Sequence, residues 1–254
     1  MRCIIKIGTS TLTYSTGNLN IRRVEELCKI ISDIKNAGHE IILVSSGAIG
    51  MGVGKLKLST RPKDIPTKQA CAAVGQCELM YIYDKIFSEY NYTVAQLLIT
   101  NEDVKDTQRY QNFCNTLHRL LNLQVLPIIN ENDTVATDEI VIGDNDTLSA
   151  IVAKSIEADL LILLSDIDGL YTSDPHKDKN ASLIPEIHEV NDALYEIAGG
   201  KGSELGTGGM ITKLNAAKLC IDNGIDMIIT NGSKPLCLYD IFDGKQIGTR
   251  FTVK

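Results

Sequence analysis

The sequence predicts an α/β domain with a mostly parallel sheet covered by helices on both faces. Short apolar runs of strand length alternate with longer stretches of helical spacing along nearly the whole chain, the pattern of parallel sheets buried on both sides. The 254 residues are 44% hydrophobic, enough for a sizeable core in one large unit or two small ones. No internal repeat, low-complexity segment or linker divides them, so residues 1–254 read as one domain.

The first strand, from Cys3, carries Lys6 inside its apolar run and ends in Gly8-Thr9-Ser10. A buried strand should not hold a lysine unless it emerges at the strand end or meets an anion. A helix over 21–37 follows, capped by Asn20 and stopped by Gly38. The second strand, Glu40 to Ser45, runs into the small-residue turn Ser46-Gly47-Ala48-Ile49-Gly50, where backbone amides can approach an anion. It fits neither a P-loop nor a dinucleotide fingerprint. Pro66 opens a long helix over 67–90, whose aromatic end (Tyr81, Tyr83, Phe87, Tyr90) reads as core or subunit contact. A third strand over 93–99, a helical stretch over 103–121 and a fourth strand from Val125 lead to the most polar part of the chain.

That part, residues 127–150, holds Asn130-Glu131-Asn132-Asp133, Thr137-Asp138-Glu139 and Gly143-Asp144-Asn145-Asp146-Thr147, with a hairpin expected between the first and last clusters. It follows a buried strand and precedes a helix over 146–158, the place where open α/β sheets bind ligands. Its acids suit an ammonium and its amides a carboxylate. Beyond it, the apolar strand over 159–166 ends at Ser165-Asp166, whose polar groups suit a ribose or phosphates. Asp174-Pro175 and residues 176–182 read as a surface loop, with His176 and His188 unpartnered at the surface. A glycine-rich loop, 199–210, enters a helix over 211–223 that has Lys213 in its first turn. A cation there opposes the helix dipole unless an anion is present. Thr207, Gly208, Gly209 and Lys213 therefore read as a polyphosphate cradle. A strand over 226–230, a short helix from Pro235 and a last strand over 248–253 close the chain.

Composition narrows the function classes. Lys+Arg number 25 against 32 Asp+Glu, a net charge of −7 without a basic run, which argues against a nucleic-acid surface. The seven scattered cysteines contain no CxxC, so reduced thiols in a cytoplasmic protein are expected and a zinc site is not. No apolar run reaches membrane-spanning length.

Taken together, IKIGTS, SSGAIG, NENDTVAT, GDNDTLSA, LLSDIDGLYTSDP, GTGGMITKL and NGSKP, in this order over the whole chain, resemble the amino acid kinase family, in particular its glutamate-phosphorylating branch. The resemblance implies a three-layer αβα sandwich with a roughly eight-stranded sheet. It implies in-line transfer of the γ-phosphoryl group of ATP to the side-chain carboxylate of L-glutamate, the first step of proline synthesis. By the same resemblance Lys6 and Lys213 contact phosphates, and Asp146 orients both. Ser46 with Gly47, Asp133, Asp144 and Asn145 hold glutamate. Ser165, Asp166 and the segment Thr207, Gly208, Gly209, Met210, Lys213 bind nucleotide. Ser165 stands where the family often has threonine. Mg²⁺ is expected on the ATP phosphates with few direct protein ligands, L-proline as feedback inhibitor, and a homo-oligomer as the assembly. Many family members carry a C-terminal RNA-binding-type (PUA) module, which this chain is expected to lack. Members acting on aspartate, acetylglutamate, carbamate or a nucleoside monophosphate would share the fold and the lysines, whereas the Asx clusters favour an unblocked amino acid. A non-catalytic amino-acid sensor is the alternative outside the enzymes, and the two lysines with the glycine cradle weigh against it.

Overall fold

The computed structural model describes residues 1–14, 18–136, 145–175, 177–199 and 209–253. In chain order the elements are β1 (Arg2–Ile7), α1 (Thr9–Leu12), α2 (Ile21–Asn36), β2 (Glu40–Ser45), α3 (Ala48–Lys55), α4 (Ile65–Ser88), β3 (Val94–Ile99), α5 (Asn101–Lys105), α6 (Thr107–Asn122) and β4 (Leu126–Glu131). After them come α7 (Asn145–Ser155), β5 (Leu160–Ser165), β6 (Glu186–Ile187), α8 (Asp192–Ile197), α9 (Met210–Ile221), β7 (Asp226–Asn231), α10 (Cys237–Phe242) and β8 (Thr249–Phe251).

The strands form one eight-stranded sheet in the order β3-β4-β2-β1-β5-β7-β8-β6. Neighbours from β3 to β7 run parallel, and β8 turns antiparallel to β7. Two cores lie on opposite faces. One packs Val24, Leu27 and Ile31 of α2 and Leu79, Tyr83 and Phe87 of α4 against Ile5, Ile7 and Leu43. The other packs Leu117 of α6, Val152 of α7 and Leu214 of α9 against Ile4, Val44 and Leu163. This is the three-layer αβα arrangement. Burial on both sides explains why β5 reads as unbroken LLILLS rather than an alternating strand.

Strand alternation also sets where β1 points its lysine. Cys3, Ile5 and Ile7 face the α2/α4 core, and Ile4 faces the α7/α9 core. Side chains alternate along a strand, so Lys6 leaves on the Ile4 side, toward α7 and α9.

The capping signals act locally as expected: Asn20 accepts from the Arg23 amide at the start of α2. Several expected elements differ. Gly8 to Ser10 leads into the short helix α1 rather than a turn. The long fourth helix begins at Ile65 because Asp64 accepts from the Thr67 amide, which places Pro66 inside the first turn. The single stretch expected over 103–121 is two helices: a capping box of Thr100 and Asp103 starts α5, and Asp106 caps α6. β6 and α8 have no counterpart in the sequence reading. The hairpin expected between the two Asx clusters lies outside the described residues, as does His176, while His188 is exposed and 3.0 Å from Glu186. All seven cysteines are free, and four of them are buried. Among the described residues no helix is long and apolar enough to cross a membrane.

Candidate active site

Because β1, β2, β4, β5 and β7 are parallel, their carboxyl ends lie along one edge of the sheet. Register brings Ile7 beside Ser45 and beside Leu164, and Ser165 beside Asn231. The edge opens into a cleft of about 880 Å³ whose lining includes Lys6, Ser46, Gly47, Asn130, Asp133, Asn145, Ser165, Asp166 and Lys213. α3, α7 and α9 begin near this edge, so their amide-rich ends favour anions there.

On the cleft floor lies a buried carboxylate. Asp146, in the first turn of α7, is fully buried, while Lys6 is 9% and Lys213 5% exposed. The Lys6 ammonium sits 2.6 Å from Oδ1 and the Lys213 ammonium 2.9 Å from Oδ2. Thr212 Oγ also donates to Oδ2, at 3.3 Å. Burial pushes the Asp146 carboxyl up, but the two ammoniums outweigh it and hold the group below the usual carboxylate range. One anion thus separates two cations and aims both, which answers how a lysine can sit in the first turn of α9.

The wall beside the floor is made of neutral amides. Asn145 Nδ2 donates to Ser46 Oγ at 2.7 Å, to Asn130 Oδ1 at 3.0 Å and to the Ser45 carbonyl at 3.3 Å. Its amide donors are spent within the protein, which leaves its oxygen, rather than the donor a carboxylate would need, as the group it can offer a ligand. Gly47 caps α3 with φ of 104°, a left-handed conformation that glycine adopts without penalty. Asp133 lies on the turn after β4; burial pushes its carboxyl up, and among the described residues no cation pairs with it.

A family model described as "Amino acid kinase family" matches residues 1–231. The chain belongs to the amino acid kinase family. Within that family it is 52% identical to the glutamate 5-kinase of Clostridium perfringens over 257 residues, covering 100% of this chain and 96% of that protein. With the glutamate 5-kinase of Caldanaerobacter subterraneus the identity is 53% over 251 residues, covering 99% of this chain and 68% of that protein. Among solved structures, carbamate kinase from Giardia lamblia bound to AMP-PNP superposes with a TM-score of 0.72 at 17% identity, covering 100% of this chain and 98% of that one. UMP kinase from Bacillus anthracis gives 0.66 at 18% identity, covering 99% and 95%. At such identities the structures share the fold.

Against this family frame, the structure brings Lys6, Asp146 and Lys213 together, and Ser46 with Asn145, while Gly47 and Asp133 line the same cleft. Asp144, Thr207 and Gly208 lie outside the described residues. Ser165 ends β5 and donates to exposed Asp166 at 3.1 Å. Gly209 and Met210 open α9 and line a second hollow of about 450 Å³ with Ile167, Leu170, Tyr171, Pro175 and Ile197. This hollow is largely apolar and meets the floor across Thr212. The sequence reading missed Thr212, which sits beside Lys213 in the flagged helix start. It also missed Arg61 on the cleft rim, and Gln76, which is hydrogen-bonded to Asn130.

Proposed function

We propose that this protein transfers the γ-phosphoryl group of ATP to the side-chain carboxylate of L-glutamate, giving ADP and L-glutamyl 5-phosphate, the first step of proline biosynthesis. The observation that carries the reading is the buried Asp146 clamped by Lys6 and Lys213 beside a wall of oriented amides. A clamped pair of ammoniums answers a polyphosphate, and the adjoining acceptor-rich wall answers an amino acid. The match to glutamate 5-kinases over the whole chain supports the choice of glutamate.

The nucleophile needs no activation, because a glutamate carboxylate with pKa about 4.3 is ionised at neutral pH. One of its oxygens bonds to the γ-phosphorus as the bond from that phosphorus to the β,γ-bridging oxygen breaks, and ADP leaves with the electron pair. Two anions must be held in line while charge moves onto the equatorial oxygens. In this reading Lys6 and Lys213 neutralise that charge and Asp146 fixes their separation. Ser46, Gly47, Asp133, Asp144 and Asn145 hold glutamate. Ser165, Asp166 and the segment Thr207, Gly208, Gly209, Met210 hold the nucleotide, with the base in the apolar hollow beside Tyr171. The donor set fits a metal carried by the nucleotide: among the described residues no three His, Cys, Asp or Glu side chains cluster, and both Asp146 oxygens face lysines. Mg²⁺ carried on the ATP phosphates would supply further neutralisation of that charge. L-Proline, with an α-carboxylate and a ring ammonium, competes for the glutamate wall. The enzyme works as a cytoplasmic homo-oligomer without nucleic acid.

Hydroxylamine traps an acyl phosphate. Purified protein with Mg-ATP, L-glutamate and hydroxylamine is expected to yield γ-glutamyl hydroxamate and ADP. Turnover of aspartate or N-acetylglutamate, with none of glutamate, overturns the assignment.

A further inference from the structure

α4 is mostly apolar where it meets the sheet, yet it buries Gln76 to 7% exposure and Tyr83 completely. Buried polar groups cost stability unless they are hydrogen-bonded. Both reach the carboxyl ends of strands. The Tyr83 hydroxyl is 2.9 Å from Ser45 Oγ on β2. Gln76 Oε1 accepts from Asn130 Nδ2 on β4 at 2.9 Å. The depth of α4 is fixed next to Gln76: a Cβ on Gly75 would overlap the Ala48 carbonyl, and one on Gly52 would overlap the Cys71 carbonyl. The α3 and α4 backbones therefore touch, and Gln76 stands at a set height above the turn that carries Ser46 and Gly47.

We propose that Gln76 is a positioning residue that selects a substrate with a free α-ammonium, acting through Asn130 and Asn145. The chain of amides has one polarity. Asn130 Oδ1 accepts from the Glu131 backbone amide at 2.9 Å and from Asn145 Nδ2 at 3.0 Å, which turns Asn130 Nδ2 toward α4, where the Gln76 oxygen accepts and holds it. Asn145 spends its donors on Asn130, Ser46 and Ser45, and among the described residues its Oδ1 accepts no hydrogen bond. The wall thus ends in an acceptor, in the same cleft as a carboxylate, Asp133, with which no cation pairs among the described residues. Both suit an ammonium, with its charge and three donors, better than an acylated amine, which keeps one neutral N–H. Without the Gln76 oxygen, Asn130 Nδ2 is left buried with no acceptor while the Glu131 amide still holds Oδ1. The Asn130 side chain then shifts to find a new partner and no longer seats Asn145.

This inference rests on glutamate phosphorylation, and its test separates the two. Steady-state kinetics of the whole chain are measured for the wild type, for Gln76→Met, which keeps the length and removes the acceptor, and for Gln76→Ala, which keeps helix propensity if methionine does not fit. The glutamate KM is expected to rise about tenfold, the scale of one lost hydrogen bond. The Mg-ATP KM and the inhibition constant of glutarate, which lacks the amine, are expected to stay within about twofold, since neither uses this acceptor. An unchanged glutamate KM in a folded variant overturns the role of Gln76. So does an equal rise for glutamate and glutarate, because the effect would then not concern the amine. A wild type that does not turn glutamate over fails the proposed reaction itself.

Discussion

The floor of the cleft and its wall solve the same problem by opposite means. Both must present fixed polar groups at the carboxyl edge of the sheet. The floor does it with full charges, one buried carboxylate between the Lys6 and Lys213 ammoniums. The wall does it with neutral amides in series, Gln76 to Asn130 to Asn145. Charges at such distances are strong but tolerant of angle, which suits a phosphoryl group that moves during reaction. Amides are weaker but directional, which suits a substrate whose polar ends must be told apart. Damage to the floor should therefore appear in stability and kcat, and damage to the wall in the glutamate KM.

The sharpest break of this contrast is Asp146→Asn. It removes the anion and leaves two buried ammoniums facing each other. Losing one partner of a buried charge cluster costs roughly 3–5 kcal/mol. The expected outcome is a lower urea midpoint, partly restored by Mg-ATP or pyrophosphate, whose negative charge replaces the lost carboxylate. A midpoint equal to that of the wild type would mean that water already screens the lysines and that the floor is not dry.

Lys213→Met keeps the apolar stem and removes one charge. In the transition state the transferred group lies between two anionic oxygens, so an ammonium matters more there than in the ground state. We expect kcat to fall roughly 10²–10³-fold, the scale of one lost transition-state donor, with ATP binding weakened less. Lys213→Arg is expected to rescue poorly, since a planar fork cannot occupy a compact ammonium's place against Asp146. Intact kcat in folded Lys213→Met would move the phosphoryl site away from α9.

The same contrast explains what the sequence could disclose. A lysine inside an apolar strand and another in a first helical turn are each improbable without a counter-charge, so Lys6 and Lys213 announce a site. Only the family resemblance points to Asp146 as the anion between them; the residues alone suggest a phosphate as the counter-charge. Continuous apolar runs such as residues 160–164 disclose a sheet buried on both faces. Gln76 discloses nothing by itself. A lone polar residue at helical spacing looks like solvent face, and its partner Asn130 lies 54 positions away. The break between α5 and α6 was written in the caps Thr100, Asp103 and Asp106, but the apolar stripe Phe113, Leu117 and Leu121 belongs to α6 alone and leaves the short α5 without a periodic signal of its own. The two-residue β6 is too short to carry any period.

On the wall, Asp133→Ala tests whether its carboxylate takes the substrate ammonium. A hydrogen bond to a charged group contributes about 1.5–3 kcal/mol, so the glutamate KM is expected to rise between about tenfold and a hundredfold, with kcat at saturation nearly kept. The stability of Asp133→Ala should not fall, because burial already disfavours its charge. A kcat loss at unchanged KM would transfer Asp133 to the floor and erase the distinction drawn above.

The smallest effect expected is a pH dependence with opposite signs for the two carboxyls. Asp146 is held below the ordinary range when folded. It therefore contributes stability above its unfolded value, near about 4, and that stability is lost as pH falls through the folded value. Asp133 is pushed up by burial. Its ionisation costs stability as pH rises through the folded value. For binding the direction reverses, because an ammonium is held only by the ionised acid. The glutamate KM should rise as pH falls through the raised value of Asp133 and level off above it, while the Mg-ATP KM, set by the floor, stays flat in that window. Asp133→Asn should remove the acidic limb of the glutamate KM without touching the ATP profile. If both profiles bend together in the wild type and persist in Asp133→Asn, the titrating group belongs to the floor, and the wall selects its substrate without this charge.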